Sequence, residues 1–193
     1  MISAALAAAG CGGEEATITP EGAAPVAPSR VEAVAARDDD PARRFCDVSA
    51  AVGEGRELAL PPLEGPSAPT SGWRWINVWA TWCAPCVEEL PRIVAWRARL
   101  AEEGTPIEPY FVSVDGSAED VATWRGAHPD APESARMTDP AGLSPFFASL
   151  GLDAATSIPI HALVDPTGHV RCVRAGAVAE RDYATVRAIL RTR

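Results

Sequence analysis

Trp75-Ile76-Asn77-Val78-Trp79-Ala80-Thr81-Trp82-Cys83-Ala84-Pro85-Cys86 is the stretch on which the reading of this chain turns. Its first six residues are aromatic, β-branched or small apart from Asn77, and they read as a buried strand within 73–80. From 85 to 103 the recurrence of Ile93, Val94, Trp96 and Leu100 is helical, and Gly104 supplies a stop. Two cysteines separated by two residues therefore sit where a strand hands over to a helix. Free N–H groups and the macrodipole at a helix start favour a thiolate. The thiolate is the form of cysteine that attacks disulfides. With a second thiol close enough to close a ring, Cys83 and Cys86 form a candidate redox dithiol.

Two rival readings of the cysteine pair are weaker. A structural zinc site needs four ligands, usually from a second Cys or His pair. Cys46 and Cys172 are single and far apart, and His128, His161 and His169 make no pair at metal spacing, so no metal is expected. A purely structural Cys83–Cys86 bridge would close so short a loop that it gives little entropic stabilisation.

Working outward, 109–115 reads as a second buried strand and 117–127 as a helix with Ser117 as its N-cap. A short helix is expected over 142–151 and a strand over 160–164. A turn at Asp165-Pro166-Thr167-Gly168 leads into a returning strand over 170–174, and a closing helix spans 180–190. The alternation over 57–60 suggests an edge strand, and Pro91 inside the long helix predicts a kink. Strand, helix, strand, helix, hairpin and helix make an α/β domain, a mixed sheet with helices on both faces.

The N-terminal part differs in composition. Residues 1–9 are apolar but too short to span a bilayer, and they suit the apolar region of an export signal. Leu6-Ala7-Ala8-Ala9-Gly10-Cys11 resembles a bacterial lipoprotein cleavage site, which would make Cys11 the lipid acceptor. The alternative is a soluble protein with an Ala-rich tail. Residues 12–44, rich in Glu, Ala, Pro, Gly, Thr and Asp, read as a disordered tether. The expected organisation is thus a signal-like segment over 1–11, a linker over 12–44 and a folded domain over 45–193. The net charge of -9 in 193 residues argues against nucleic acid or an anionic membrane surface as the main partner. The chain has no lysine, which removes Schiff-base chemistry.

Trp79-Ala80-Thr81-Trp82-Cys83-Ala84-Pro85-Cys86, with Glu89 and Pro91 after it, resembles the TlpA/ResA-like branch of the thioredoxin superfamily. These are membrane-anchored bacterial thiol-disulfide oxidoreductases. The resemblance continues in Phe111-Val112-Ser113-Val114-Asp115 and in Ser157-Ile158-Pro159-Ile160-His161-Ala162-Leu163-Val164-Asp165-Pro166-Thr167-Gly168, and it covers roughly 55–193. It implies a thioredoxin-like fold. It implies Cys83 as the exposed nucleophile, Cys86 as the resolving thiol and Pro85 as the residue that stiffens the turn between them. Pro159, preceded by Ile158, takes the place of the family's cis-proline opposite the pair, and Trp79 and Trp82 flank the site. General thioredoxins carry a buried Asp where this chain has Asn77, and Asn cannot take a proton. The branch instead uses a Glu three residues after the second Cys to move protons, and Glu89 fills that position. The competing reading of Glu89 is a solvated first-turn carboxylate, a role that Glu88 fits better. His161, two residues after Pro159, reads as an ordinary strand histidine, with an approach to the active site or to a metal as the alternative.

The family's chemistry implies reduction of protein disulfides on the extracytoplasmic side of a bacterial membrane. Electrons would come from a membrane thiol transporter, with no dissociable organic cofactor. The family's substrates include apocytochrome c cysteines and the copper-site cysteines of oxidase assembly factors. A dithiol oxidase or isomerase is the alternative within the same chemistry. A Cu(I)-binding metallochaperone using Cys83 and Cys86 as soft ligands is the alternative from another class. An exported protein tolerates structural disulfides, so Cys46, at the start of the folded region, and Cys172, in the hairpin, are candidates for a staple. Two unpaired thiols are the alternative.

Overall fold

The computed structural model describes residues 40–192. In chain order the elements are α1 (Pro41–Phe45), β1 (Val48–Ser49), β2 (Leu63–Glu64), β3 (Trp73–Trp79), α2 (Ala84–Glu102), β4 (Ile107–Ser113) and α3 (Ala118–Ala127). They continue with β5 (Ser134–Met137), α4 (Leu143–Ser149), β6 (Ile160–Val164), β7 (Val170–Ala175) and α5 (Tyr183–Arg191). Single 3-10 turns, Pro140–Gly142 and Glu180–Asp182, lead into α4 and α5. The strands form one mixed sheet in the order β1-β7-β6-β3-β4-β5-β2. Strand β3 lies at its centre, parallel to β4 and antiparallel to β6.

Alternation along β3 and β6 decides what each face buries. Trp75 and Trp79, with Phe111 and Leu163, pack on Leu90, Ile93, Trp96 and Leu100 of α2 and on Val186, Ile189 and Leu190 of α5. Ile76 and Val78, with Val112, Ile160 and Ala162, pack on Phe146 and Phe147 of α4. Helices therefore cover both faces, as expected, and the strands read as continuous apolar runs because neither face meets water. Asn77 and His161 are Cα partners across β3 and β6, and by parity both face α2.

Helix α2 obeys the end signals read from the sequence. Gly104 (φ 75°) follows its C-cap, with Thr105 N donating to Leu100 O at 2.9 Å and Gly104 N to Ala101 O at 3.1 Å. That double closure satisfies two terminal carbonyls and needs the left-handed conformation that glycine adopts freely. Pro91 lies within a helix that runs unbroken from Ala84 to Glu102. Ser117 caps α3, its Oγ accepting from Asp120 N at 3.1 Å.

Three elements depart from expectation. The alternation over 57–60 gives only one isolated bridge, Glu57 to His169, because Pro61 and Pro62 follow and cannot donate to a ladder. The edge strand is instead Leu63–Glu64, paired with β5. Strand β5 itself was not anticipated: Ser-Ala-Arg-Met has no β-branched or aromatic residue, and pairing with β4 and β2 overrides its weak propensity. Residues 41–44, assigned by composition to the tether, belong to α1, which Asp40 caps through Ala42 N at 3.0 Å and which buries Ala42 completely.

The hairpin turn is tied to the rest of the domain by Asp165, which is fully buried. Its carboxylate accepts from Gly53 N (2.6 Å), Thr167 N (2.9 Å), Thr167 Oγ1 (2.6 Å) and His169 N (3.2 Å). Burial pushes this carboxyl up, but the hydrogen bonds from Thr167, Gly53 and His169 outweigh it and hold the group below its ordinary value of 3.8. A carboxyl lowered in the folded state contributes stability that is fully present above the unfolded value and is lost as pH falls through the folded one. Asp165→Asn is therefore expected to lower stability near neutral pH and to flatten the loss of stability below about pH 4. Urea unfolding midpoints of both proteins across that range check it. Parallel acid limbs would show that Asp165 is not the source.

Candidate active site

The carboxyl end of β3 delivers Thr81 and Trp82 into a tight turn, Cys83 N donating to Ala80 O at 3.1 Å. Cys83 then occupies the N-cap of the 19-residue α2, and Pro85 stands in its first turn, where a missing N–H costs nothing. Cys83 and Cys86 are joined in a disulfide with Cα atoms 5.2 Å apart. Their surroundings differ. Cys86 is fully buried and Cys83 is 6% exposed at the rim, while Trp82 beside it is 70% exposed. Cys83 carries the helix-terminal position that favours a thiolate once the pair is reduced.

The turn is held from below by a residue that the sequence reading did not single out. Asp115, 2% exposed, accepts from Thr81 N through both oxygens (3.2 and 3.1 Å), from Thr81 Oγ1 (2.6 Å) and from Ser113 Oγ (2.6 Å). The turn that carries Cys83 is thus locked to the end of β4 two residues before the sulfur.

Opposite the pair lies the segment that enters β6. The Ile158–Pro159 peptide is cis. The Ile158 carbonyl oxygen is 3.9 Å from Cys83 Sγ, so a reduced thiol at Cys83 has an acceptor there.

Glu89 sits one turn after Cys86 on the same face of α2 and is fully buried, which rules out the solvated role; Glu88 is the exposed neighbour. Its Oε1 accepts from Asn77 Nδ2 at 2.9 Å and its Oε2 from Val178 N at 2.9 Å. Arg92, on the same helix, donates to Val178 O at 2.7 Å, so α2 grips that residue at both ends of its peptide environment. His161 completes the cluster. It is 2% exposed, and its Nε2 is 3.4 Å from Glu89 Oε1. That contact is too poorly aligned to be a hydrogen bond, and Nε2 and Asn77 Oδ1 are buried without partners.

The structure thus brings Cys83, Cys86, Glu89, Asn77, Ile158, Pro159, Pro85 and Trp82 to one end of the sheet. Cys46 and Cys172 lie elsewhere and are joined to each other, Cα atoms 5.4 Å apart. Cys11 lies outside the described residues. Among the described residues no three His, Cys, Asp or Glu side chains are grouped to hold a metal ion, and no helix is long and apolar enough to cross a membrane. Asp115 is the residue of this cluster that sequence reasoning did not single out, and His161, read first as an ordinary strand histidine, takes the alternative place beside the site. The signal for His161 was present: one polar residue within Ile160-His161-Ala162-Leu163-Val164, a run otherwise apolar and covered on both faces, needs a buried partner.

No protein-family model matches the chain, and no curated protein matches it. Solved structures do. A thioredoxin-related protein from Neisseria meningitidis serogroup B superposes with TM-score 0.54 at 21% identity, covering 66% of this chain and 93% of that one. A thiol:disulfide interchange protein from Bacteroides sp. gives TM-score 0.52 at 17% identity, covering 72% and 88%. A protein described as thiol:disulfide interchange protein DsbE from Chlorobium tepidum gives TM-score 0.51 at 19% identity, covering 72% and 99%. At these identities the likeness is one of fold, and the fold is thioredoxin-like.

Proposed function

We propose that this protein is a thiol-disulfide oxidoreductase that reduces protein disulfides through Cys83 and Cys86. The observation that carries the proposal is the placement of the pair. One sulfur is at the rim of a helix N-terminus facing the Ile158 carbonyl, and the other is buried behind it one turn before a buried carboxylate.

In the reduced protein the Cys83 thiolate attacks a substrate disulfide. One bond forms between Cys83 and a substrate sulfur, and the other substrate sulfur leaves as a thiolate. The Cys86 thiol then gives its proton to the Glu89 carboxylate. The Cys86 thiolate attacks Cys83 Sγ, closing the Cys83–Cys86 bond and releasing the second substrate thiolate. Asn77 cannot take that proton; it orients Glu89 by donating to Oε1. Trp82 and the Ile158–Pro159 backbone form the surface that an extended substrate segment meets.

Acting as a reductase, the protein needs a two-electron donor, and a membrane thiol transporter fits that need. The apolar 1–9 segment followed by small residues before Cys11 supports an extracytoplasmic protein anchored by lipid on Cys11. Cysteines awaiting haem or copper are substrates of the right chemical class.

The test is dithiothreitol-driven reduction of insulin, with the potential of the Cys83–Cys86 couple measured in parallel. Turnover well above dithiothreitol alone, with a potential near about −270 mV, supports the reductase; a value near about −120 mV makes it an oxidase. Tight Cu(I) binding without insulin reduction would make it a copper carrier. Palmitate labelling of the full chain and of Cys11→Ala tests the anchor, and equal labelling of both would remove it.

A further inference from the structure

We propose that His161 is a positioning residue for Glu89: locked as the Nε2–H tautomer, it holds its one N–H beside Glu89 Oε1, unbonded in the oxidised protein, and closes on that oxygen when the carboxylate acts as the base. The inference rests on the proposed role of Glu89 and assigns that role a partner on the opposite strand.

The tautomer follows from what surrounds the ring. Nδ1 faces two donors, Trp75 Nε1–H at 3.1 Å and Asn77 Nδ2 at 3.3 Å. The indole N–H can only donate. The Asn77 amide is oriented by its 2.9 Å bond to Glu89, which requires its NH2 group on that side. Nδ1 is therefore the acceptor, and the proton of the neutral ring is on Nε2. From β7, Arg174 is the Cα partner of His161, and its guanidinium is turned to Phe45 O at 2.9 Å and over the Phe45 ring. The charged and titratable groups around the pair are thus Glu89 from α2, Arg174 from β7 and, behind Val178, Arg92.

The unpartnered Nε2 is what gives this arrangement a role beyond packing. A buried N–H with no acceptor is costly, and Glu89 Oε1 lies 3.4 Å from it. A small movement of the carboxylate makes the bond. The ionised carboxylate then has three N–H donors, from Asn77, Val178 and His161. His161 therefore acts on the orientation of Glu89: with Asn77 and Val178 it holds the carboxylate in one pose, one turn after Cys86.

Two measurements test this. Long-range proton–nitrogen spectra of the reduced wild-type protein at about pH 8 report the tautomer. The Nε2–H pattern for His161 is expected, and an Nδ1–H pattern overturns the proposal. The second measurement mixes reduced protein with dithionitrobenzoate. Attack by Cys83 releases the first thionitrobenzoate, and attack by Cys86 on the resulting mixed disulfide releases the second. His161→Phe is expected to slow the second release at least about tenfold, the loss of one donor to a buried carboxylate, and to leave the first within about twofold. His161→Gln, which keeps an N–H at that depth, is expected to restore most of the rate. Equal slowing of both releases, or no slowing of the second, overturns the proposal. Glu89→Gln separates the two readings. If it leaves the second release untouched, the role of Glu89 fails. If it slows that release while folded His161→Phe does not, the role of His161 fails alone. Should His161→Phe not fold, the wild-type tautomer and His161→Gln decide.

Discussion

Cys83→Ala is expected to lower disulfide reduction by at least about a thousandfold, whereas Cys86→Ala is expected to convert the protein into a trap. The asymmetry follows from exposure. Cys86 is fully buried beneath α2, so a folded or peptide substrate cannot reach it, and Cys83 at the rim is the only sulfur of the pair that such a substrate meets. Without Cys83 no covalent intermediate forms. Without Cys86 the first exchange proceeds as before, but nothing displaces Cys83 from the substrate sulfur, and a mixed disulfide accumulates. Incubating each reduced variant with an oxidised substrate protein, then quenching with acid and separating without reductant, reads both outcomes. A new band is expected for Cys86→Ala alone, dissolving on addition of dithiothreitol. A band of equal strength for Cys83→Ala would mean that Cys86 is the attacking sulfur and that the arrangement at the N-cap has been misread. The same trap, applied to a cell extract, would identify the substrates by what it holds.

The central strand, the long helix and the hairpin were legible because each carries a local signal that nothing later contradicts. Trp73–Trp79 is aromatic and β-branched, Gly104 stops α2, and Asp165-Pro166-Thr167-Gly168 can do little other than turn. Strand β5 was not legible because Ser134-Ala135-Arg136-Met137 has no intrinsic strand preference, and its partners β4 and β2 are remote in sequence. The same distinction holds at the site. Spacing alone puts Glu89 on the face of α2 that carries Cys86, because three residues make nearly one helical turn. Nothing local puts His161 against it. Their meeting depends on β6 pairing antiparallel to β3 in the register that sets His161 across from Asn77, and a shift by one residue would turn the imidazole to the other face. Asp115 was quoted as part of a motif, yet its hold on Thr81 depends on the parallel β3–β4 pairing, which a single sequence shows only as two apolar runs.

Removing the Cys46–Cys172 bridge is expected to cost several kcal/mol of folding stability and to leave disulfide exchange intact. The bridge joins residues 126 apart, and closing a loop of that length restricts the unfolded chain by about 5 kcal/mol in the chain-entropy account. It also holds a segment that has little else of its own. Strand β1 is two residues long, pairing Val48 with Val173 and Ser49 with Cys172 on an edge of the sheet, and α1 is a single short helix. Their other ties include hydrogen bonds to β7, from Arg171 to Asp40 and the Ala50 carbonyl, from Arg174 to the Phe45 carbonyl and from Ala175 N to Asp47, and the packing of Ala42 and Phe45 into the core beside α5. Arg171 is 1% exposed with the segment in place, so release of the segment would also separate its guanidinium from the Asp40 carboxylate. The double variant Cys46→Ser, Cys172→Ser is expected to lose about 3–5 kcal/mol in urea unfolding with the Cys83–Cys86 bond closed, against a total that for a domain of this size is about 5–15 kcal/mol. Insulin reduction by the fraction that remains folded is expected to match wild type, because Cys172 lies level with Leu163 and Trp75, toward the amino end of β3, whereas Cys83 follows its carboxyl end. A loss under about 1 kcal/mol would show that the hydrogen bonds to β7 hold α1 and β1 without the covalent link, and that the staple adds nothing to the folded domain.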